Sequence, residues 1–353
     1  MYFIGLGVAT PPRRYTQIEC WMALQASRQF AALAPRSRAI LKKVLTGKNG
    51  IATRYLALEP LHDAFQLSPD ALHARFARHA PVLASQAAQR ALAQAGLAPS
   101  QVDAVLISTC TGYLCPGLTS YVSESIGLRP DALCLDLVGQ GCGAALPNLR
   151  AAESLIASGR ARNVLCACVE ICSAAFYLDD DPGVLISACL FGDGAGAAVV
   201  SAKPGPNRRV KWMAAGSLLA TQDRELLRFE TRCGMLRNIL APQVPEVTGR
   251  HARTVFDQVT SKAGVDPLSV TGWIFHAGGR DVLSSLQQRF ALHPDDLRWS
   301  AEILEEHGNL SSPFVLFTLR KALEEHPRGG HWWLSSFGAG FSCHGAILDV
   351  ADL

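Results

Sequence analysis

The chain has 353 residues, of which 49% are hydrophobic and only 18% charged, and its net charge at pH 7 is +3. A chain of this length can bury a large core in two or three domain-sized units or in one fused double domain, and the apolar surplus favours a face covered by a partner subunit. The small net charge argues against a general nucleic-acid binder.

Targeting and redox signals predict a soluble protein of the cytoplasm. No apolar run reaches the length of about 18 residues that a membrane span needs, and the opening strand pattern MYFIGLGV lacks the basic segment and cleavage site of a signal peptide. The 11 cysteines are an odd set without framework spacing, which fits reduced thiols better than disulfides. We therefore expect an intracellular protein without a membrane span.

The predicted elements alternate between strands and helices. In the first part of the chain they are a strand at 1–8, a helix at 84–96, strands at 102–108 and 132–138, a helix from 142 to about 158, and strands at 163–170 and 194–202. In the second part they are a strand at 210–218, a helix at 248–263, a strand at 272–276, helices from 282 and from 312, and a strand at 331–337. This alternation is typical of a layered α/β sheet.

A polar connector rich in Pro and Gly, KPGPNRR at 203–209, separates two related halves, which we place at 1–205 and 206–353. Near the end of each half, a Phe-Gly-x-Gly turn enters an alternating apolar strand, once from Phe191 and once from Phe337.

Cys166 and Cys168 form a CxC pair that could suggest a metal site, but VLCACVEI alternates as a buried strand and no second ligand pair follows. No metal site is predicted.

The stretch GQGCGAALPNL at 139–149 places Cys142 between an apolar strand pattern and the start of a helix. Small Gly141 and Gly143 leave the sulfur uncrowded, and the free amide groups of a first helical turn favour negative charge, so the pattern predicts a stabilised thiolate. A thiolate attacks carbonyl carbon. In isolation the alternative is a small apolar packing residue, which is the usual role of a buried cysteine.

Two segments of the second half place polar side chains at similar turns. GWIFHAGG puts His276 at the end of an apolar strand, and EHGNLSSPFVLF puts Asn309 in a glycine turn before a helix. Taken alone, His276 can be a core histidine satisfied by backbone, and Asn309 can belong to a helix-capping turn. Together with Cys142 they supply a nucleophile, a cation for its thiolate and a neutral donor for an oxyanion.

Two enzyme chemistries use such a set, and a third interpretation is not catalytic. A cysteine hydrolase would admit water, with His276 as the base and Asn309 orienting its ring. A condensing enzyme would let both residues donate hydrogen bonds to one thioester oxygen, which stabilises the enolate left when a malonyl thioester loses CO₂, without a metal. A scaffold subunit needs no reactive thiol, and the presence of all three residues argues against it.

Six motifs carry a family resemblance. They are TCTGYLCPG (109–117), GQGCGAALPNL (139–149), LFGDGAGAAVV (190–200), GWIFHAGGRD (272–281), EHGNLSSPFVLF (306–317) and SFGAGF (336–341). In order and approximate spacing they resemble the chalcone synthase-like type III polyketide synthases, of a bacterial type, over nearly the whole chain. Single motifs are shared with the ketoacyl-carrier-protein synthase III group and with thiolases. The resemblance implies a thiolase-like five-layered αβαβα double sandwich and a homodimer.

The resemblance also implies roles for single residues. Cys142 is similar to the nucleophile that holds the starter and the growing chain, and His276 and Asn309 are similar to the decarboxylation and oxyanion pair. Phe191 corresponds to a gatekeeper between a CoA tunnel and the cavity, although an aromatic beside a glycine turn can simply fill space. Ser311 corresponds to a position on the cavity wall.

Further positions are implied less sharply. Gly338 belongs to a loop that corresponds to a Gly-rich lining of the cavity, and the second family gatekeeper falls near Asn238 or Ile239, neither of which is aromatic. Lys48 corresponds to a lysine that contacts CoA phosphates, and Lys42, Lys43 and Arg54 add positive charge nearby. Such a basic cluster can equally be a solvated face.

Small residues stand at Cys115, Cys172 and Ala175, where the resemblance implies bulkier or polar cavity residues. A wider, more apolar cavity would gain about 0.8 kcal/mol for each methylene of a buried fatty chain. We therefore expect a fatty acyl-CoA starter, extended with malonyl-CoA and cyclised to an alkylpyrone or alkylresorcinol. The alternatives are a small starter or malonyl-CoA alone, as in synthases of the phloroglucinol, dihydroxyphenylacetate or tetrahydroxynaphthalene type, or an enzyme similar to the ketoacyl-carrier-protein synthase III group. CoA thioesters serve as substrates without a cofactor, and delivery by an acyl carrier protein stays open.

Overall fold

The structure is a computed structural model that describes residues 1–326 and 328–352. The strands are β1 (Tyr2–Ala9), β2 (Arg14–Thr16), β3 (Thr53–Tyr55), β4 (Ala104–Thr109), β5 (Leu133–Val138), β6 (Asn163–Glu170), β7 (Gly194–Ser201), β8 (Val210–Leu219), β9 (Leu227–Arg232), β10 (Met235–Leu240), β11 (Val270–Phe275), β12 (Gly330–Gly338) and β13 (Ser342–Val350). The α-helices are α1 (Gln17–Gln25), α2 (Arg28–Ala32), α3 (Pro35–Thr46), α4 (Pro69–Ala95), α5 (Leu118–Ile126), α6 (Ala145–Ala157), α7 (Pro182–Leu190), α8 (Val244–Ala263), α9 (Arg280–Phe290), α10 (Arg298–His307) and α11 (Phe314–Glu325).

Nine of the strands form one mixed sheet in the order β11-β12-β13-β8-β1-β7-β6-β4-β5. The pairing directions repeat in its two parts. In the first part β1–β7 and β7–β6 are antiparallel and β6–β4 is parallel. In the second part β8–β13 and β13–β12 are antiparallel and β12–β11 is parallel. The parts join where β1 meets β8, at Tyr2 and Phe3 only. The chain is therefore built from two similar halves, and the predicted boundary at 205/206 falls in the loop between β7 and β8.

Helices cover both parts of the sheet and also separate them. The apolar faces of α6 and α11, which include Leu146 and Leu319, pack in one cluster with strands of both halves. On the outer side of the first half, α4 and α5 pack on β4, β6 and β7, and on the outer side of the second half α8 and α9 pack on β11, β12 and β13. The layers alternate helix, sheet, helix, sheet, helix, so the predicted five-layered double sandwich is confirmed.

The predicted strands all occur, but the helices differ from the prediction in the first half. The helix predicted at 84–96 begins at Pro69, where Ser68 caps it by accepting a hydrogen bond from Ala71 N at 3.2 Å. Its first turns carry charged residues and Pro81 interrupts the interior, which hid the pattern from sequence reasoning. In the first half, helices α1, α2, α3, α5 and α7 and the short strands β2 and β3 were not predicted, and in the second half helix α10 and the β9–β10 hairpin were missed. Within the described residues, no helix has the length and apolarity to cross a membrane.

Candidate active site

Cys142 lies in a short 3-10 turn, Gly141–Gly143, between the exposed edge strand β5 and helix α6. Gly141 has a φ of 55°, a conformation that favours glycine. Gly338 of β12 lies directly beneath the turn, since a Cβ there would stand 2.5 Å from Gly143 N and 3.0 Å from Cys142 N. The chain therefore presents the cysteine on a backbone turn that the opposite half of the fold supports.

The sulfur of Cys142 accepts a hydrogen bond from Ser311 Oγ at 3.2 Å. Burial raises the pKa of the Cys142 thiol to about 12, the bond from Ser311 opposes that rise, and the nearby Glu170 adds to it. Burial therefore opposes the predicted stabilisation of the thiolate in this resting state. The reason is that the turn precedes α6 and is enclosed by protein, so that desolvation outweighs the attraction of the helix amides.

His276 follows β11 and is 1% exposed. Its backbone N–H donates to Ser335 O at 2.9 Å, and the rings of Phe314 and Phe337 stand 5.2 and 5.1 Å from its own ring, both edge to face. Burial lowers the pKa of His276 to about 3, and its Nδ1 has no hydrogen-bond partner in the described part of the chain. The imidazole is therefore neutral at ordinary pH and offers one N–H donor and one nitrogen acceptor for hydrogen bonds, whereas burial makes it a weaker base.

Asn309 is 3% exposed, and its amide is held from both sides. Its Oδ1 accepts a hydrogen bond from Ser311 N at 2.8 Å, and its Nδ2 donates to Gly278 O at 3.1 Å. Because Oδ1 faces a backbone N–H, the assignment of the amide is fixed and Nδ2 keeps a second N–H. The backbone of Asn309 also bonds to the turn after α7, with its N–H donating to Leu190 O at 2.8 Å.

These contacts link the three predicted catalytic residues in a chain. Cys142 contacts Ser311, which binds Asn309, which in turn binds Gly278, and a Cβ on Gly278 would lie 3.9 Å from Nε2 of His276. The structure therefore places the segments that carry the three residues next to one another, where the two halves meet, although His276 and Asn309 are not among the residues that line the cavity beside Cys142. A thiol with an amide donor and an imidazole on neighbouring segments suits acyl transfer.

Cys142 lies on the wall of a cavity, which we call the main cavity, enclosed by α1, α3, α7 and the β9–β10 hairpin. Most of its walls are apolar, with leucines from helices α1 and α3 and aromatic residues from turns and from the hairpin. Four residues predicted for substrate binding line it, namely Phe191, Cys172, Ala175 and Ser311. Burial raises the pKa of the Cys172 thiol well above its usual range, so Cys172 adds apolar volume and not charge.

Three predicted substrate residues do not line the main cavity. Gly338 supports the cysteine turn instead, and its neighbour Ala339 is on the cavity wall. Cys115 and Lys48 are exposed, and Lys48 O accepts a hydrogen bond from Arg280 Nη1 at 2.6 Å. The sequence overlooked this geometry because a motif shared with a family gives a position in the chain and not the direction of a side chain.

The position of the second gatekeeper is occupied by a polar residue. Asn238 lines the main cavity and donates from Nδ2 to Ser187 Oγ at 3.2 Å, whereas Ile239 is not among the lining residues. Directly across the hairpin from Asn238, Phe229 lines both the main cavity and a neighbouring open cavity, the side cavity. An aromatic side chain thus stands on the partner strand of the predicted position.

Sequence reasoning missed Glu170, a fully buried carboxylate at the end of β6. It accepts hydrogen bonds from Cys110 N at 3.0 Å, Thr111 Oγ1 at 2.9 Å and Ser312 Oγ at 2.5 Å. Burial raises the pKa of Glu170 and these donors oppose the rise. The sequence feature that could have indicated Glu170 is a single glutamate at the end of the otherwise apolar strand VLCACVE. Glu170 ties the segment after β4 to the segment that carries Ser311, so it holds two walls of the site together.

Arg54 is buried, unlike the lysines with which the sequence grouped it. The side chain is 5% exposed and lines the main cavity, whereas Lys42, Lys43 and Lys48 are on the surface. Its Nη1 donates to Ala188 O and to Phe191 O, both at 3.0 Å. In residues 1–326 and 328–352, no group of three or more His, Cys, Asp or Glu is arranged to hold a metal ion.

The fold is that of the thiolase-like enzymes. Over 100% of both chains it resembles 1,3,6,8-tetrahydroxynaphthalene synthase from Streptomyces coelicolor A3(2), with a TM-score of 0.89 and 24% identity. It also resembles PKS-I of the brown alga Ectocarpus siliculosus, with a TM-score of 0.90, 22% identity and coverage of 99% of this chain and 97% of that chain. At these identities the structures establish the fold alone.

The chain belongs to the chalcone and stilbene synthases: residues 7–204 match the N-terminal domain of that family and residues 216–350 match its C-terminal domain. It is thus a type III polyketide synthase, an acyltransferase that catalyses decarboxylative Claisen condensation, and the predicted resemblance is confirmed. Among its relatives are the 3,5-dihydroxyphenylacetyl-CoA synthases of Amycolatopsis orientalis, 27% identical, and Amycolatopsis balhimycina, 28% identical. Each alignment covers 98% of this chain and 92% of the relative.

Proposed function

We propose that this type III synthase loads a malonyl group from malonyl-CoA on Cys142, extends it with further malonyl-CoA and releases a small aromatic product of the dihydroxyphenylacetate or tetrahydroxynaphthalene type. The curated relatives that align over nearly the whole chain are named as dihydroxyphenylacetyl-CoA synthases, which supports this class. The fatty-starter expectation receives no such support from the relatives and becomes the second candidate.

The observation that carries the reaction is the contact chain from Cys142 through Ser311 to Asn309. In the loading step the sulfur of Cys142 attacks the thioester carbonyl, a new C–S bond forms, and CoA leaves as a thiolate. Because the thiol pKa is raised, its proton has to move to a base during the attack, and the neutral His276 is the base that the site offers. The same proton then neutralises the CoA thiolate.

The extension step uses the same residues. A second malonyl-CoA loses CO₂, and the enolate that forms has its negative oxygen stabilised by the free N–H of Asn309 and by His276. The enolate carbon attacks the acyl carbon on Cys142, and the cysteine sulfur leaves as a thiolate. The buried position of both donors keeps water away from the enolate, because His276 and Asn309 are 1% and 3% exposed.

The proposal is tested by incubating the purified protein with malonyl-CoA alone and analysing the products by mass spectrometry. We expect CO₂ release and a polyketide built only of malonyl units. A cysteine hydrolase would instead release free acid from a thioester and produce no condensed product. Absence of any product from malonyl-CoA alone, together with products from an added starter, would overturn the malonyl-primed proposal.

A fatty acyl-CoA starter is the second candidate function. The main cavity favours it, because leucines of α1 and α3 line it, as do the predicted small residues Cys172 and Ala175. Each methylene buried there would contribute about 0.8 kcal/mol to binding. Assays with acyl-CoAs of graded length decide: a rate that rises with chain length supports an alkylpyrone or alkylresorcinol product, and a preference for malonyl-CoA contradicts it.

We also propose that the protein works as a homodimer through the edge of the sheet. Strand β5 ends the nine-stranded sheet, and its residues Leu133, Leu135 and Val138 are 43%, 37% and 56% exposed. An uncovered apolar edge strand is a surface that a second copy can cover. Light scattering is expected to give twice the mass of the chain, and Leu135→Lys is expected to give monomers.

A further inference from the structure

We propose that Arg54 binds the free carboxylate of a carboxyacyl starter, such as malonyl, while its acyl carbon reacts at Cys142. This inference rests on the proposed function and names the group that would select its starter. Arg54 follows Thr53 in β3 and reaches the main cavity from the side of α7, and both Arg54 and Cys142 line that cavity.

Arg54 is a buried cation without an acidic partner among the described residues. Arg54 is 5% exposed, and none of the ion pairs recorded for the described residues includes it. Its hydrogen bonds both come from Nη1, to Ala188 O and Phe191 O, and its Nε is buried without an acceptor. The two carbonyls belong to the end of α7, whose dipole offsets only part of a full charge. A buried cation with this little compensation is costly, so an anion that enters the cavity gains by pairing with it.

The acidic groups near Arg54 do not neutralise its charge. Asp193, two residues after Phe191, is the buried carboxylate of this region, but it accepts from Ala57 N at 2.6 Å and Ser173 Oγ at 2.6 Å and forms no ion pair with Arg54. Burial raises the pKa of Asp193. In the described ranges 1–326 and 328–352, no acidic residue lines the main cavity. An incoming carboxylate therefore meets an unpaired guanidinium and no like charge on the wall.

A second arginine on the same wall provides a matched comparison. Arg228 also lines the main cavity, but its Nε donates to Glu225 at 2.7 Å and its Nη1 to Glu230 at 3.1 Å. Its charge is already paired on the protein. A cation is thus available to a ligand at Arg54 and not at Arg228. This difference separates carboxylate recognition from a general preference of a basic cavity for anions.

Arg54 also has a positioning role that the test must separate from binding. Its two carbonyl bonds hold the turn at Phe191, and Phe191 forms a β-bridge with Asn309. A Cβ on Gly308 would lie 3.0 Å from Cγ of Arg54, so the guanidinium stem packs against the Asn309 turn. If this were the whole role, loss of Arg54 would slow every starter equally. Carboxylate binding instead predicts a loss confined to carboxyacyl starters.

The experiment compares loading of succinyl-CoA and butanoyl-CoA, whose acyl chains have equal length and differ in a terminal carboxylate or methyl group. Covalent adducts on Cys142 are followed by intact-protein mass spectrometry, before any condensation. Arg54→Gln keeps a hydrogen-bond donor for the carbonyls but removes the charge. We expect it to slow succinyl and malonyl loading about 10- to 100-fold more than it slows butanoyl loading. Arg54→Lys is expected to restore part of the loss, and Arg228→Gln to leave the ratio of the two rates unchanged.

Equal losses for both substrates in Arg54→Gln, or no loss in either, would overturn the inference. Should that variant fail to fold, the wild-type protein provides the test: free malonate is expected to slow butanoyl loading and uncharged dimethyl malonate is not, and equal effects of the two would also overturn it. The readout is independent of product formation. If the wild type makes products from malonyl units alone but Arg54→Gln loads every starter at the wild-type rate, only the role of Arg54 is rejected. If loading depends on Arg54 as expected but no product made only of malonyl units forms, only the proposed function is rejected.

Discussion

The hydroxyl of Ser311 donates a hydrogen bond to the sulfur of Cys142 across 3.2 Å, joining the two halves of the fold at the nucleophile. Ser311 also has a φ of 59°, in the left-handed region that non-glycine residues rarely adopt. Its backbone N–H binds Oδ1 of Asn309 at 2.8 Å. One strained residue thus contacts both the group that attacks the thioester and the group proposed to stabilise the enolate.

Two substitutions of Ser311 separate the effect of its hydroxyl on loading from the effect of its backbone conformation on stability. Ser311→Ala and Ser311→Gly both remove the hydrogen bond to Cys142, so we expect both to slow covalent loading about tenfold, because a bond that favours the thiolate is lost. Glycine adopts positive φ freely, so Ser311→Gly should be about 1 kcal/mol more stable than Ser311→Ala. Adduct formation by mass spectrometry and urea unfolding measure the two effects. Loading at the wild-type rate in both variants would contradict the contact.

Substitutions of Cys142 and Asn309 are expected to block different steps of the reaction, namely acyl loading and decarboxylation. Cys142→Ala should form no acyl adduct, because no other thiol takes its place at the turn. Asn309→Ala should still form the adduct but decarboxylate malonyl-CoA about 10²- to 10³-fold more slowly, since one donor to the enolate oxygen is missing. Release of CO₂ from labelled malonyl-CoA and intact mass give the two readouts. An unchanged decarboxylation rate in Asn309→Ala would remove this residue from the site.

Gly338 is expected to tolerate no side chain. In Gly338→Ala the new Cβ would stand 2.5 Å from Gly143 N and 2.6 Å from Gln140 O, which are backbone atoms that cannot turn aside. We expect a loss of about 1–3 kcal/mol in the free energy of unfolding and no loading of Cys142, because the turn is displaced. Gly278→Ala is the control for stability, since its Cβ would meet Val282 at an ordinary 3.5 Å. Equal stability of the two variants would contradict this account.

The sequence predicted the parts of the fold that depend on regular patterns. Strand β6 was predicted within its observed bounds because its buried residues follow a simple apolar pattern, and Cys142, His276 and Asn309 were found because each follows a strand or turn marked by glycine. The helices of the first half were missed where polar residues interrupt the period, as in the first turns of α4.

The burial of a side chain and the direction in which it points could not be predicted from residue types. Arg54 and Lys48 are six positions apart and look alike in the sequence, yet one lines the main cavity and the other is exposed. The burial that raises the pKa of the Cys142 thiol could not be read from the sequence, because the enclosing walls come from segments distant in the chain. Glu170 was missed for the same reason, since its hydroxyl and amide donors come from the segments after β4 and before α11.

His307 gives the fold a specific sensitivity to acid. Its ring stacks on Tyr55 at 5.1 Å and meets Phe317 at 5.2 Å, and burial, with the nearby charges of Lys321 and Arg14, lowers the pKa of His307 from 6.5 to about 4. The folded state therefore requires the neutral ring, so the stability linked to it is complete above pH 6.5 and is lost as the pH falls toward 4.

We expect His307→Phe to remove this dependence, because phenylalanine keeps the aromatic contacts of His307 and does not titrate. Between pH 7.5 and pH 5 the wild type should lose about 2 kcal/mol more than the variant in the free energy of unfolding by urea. Groups that titrate alike in both proteins, including the buried carboxylates of Glu170 and Asp193, cancel in this difference. Parallel pH dependences of the two proteins would show that the imidazole takes up a proton in the folded state as readily as in the unfolded chain.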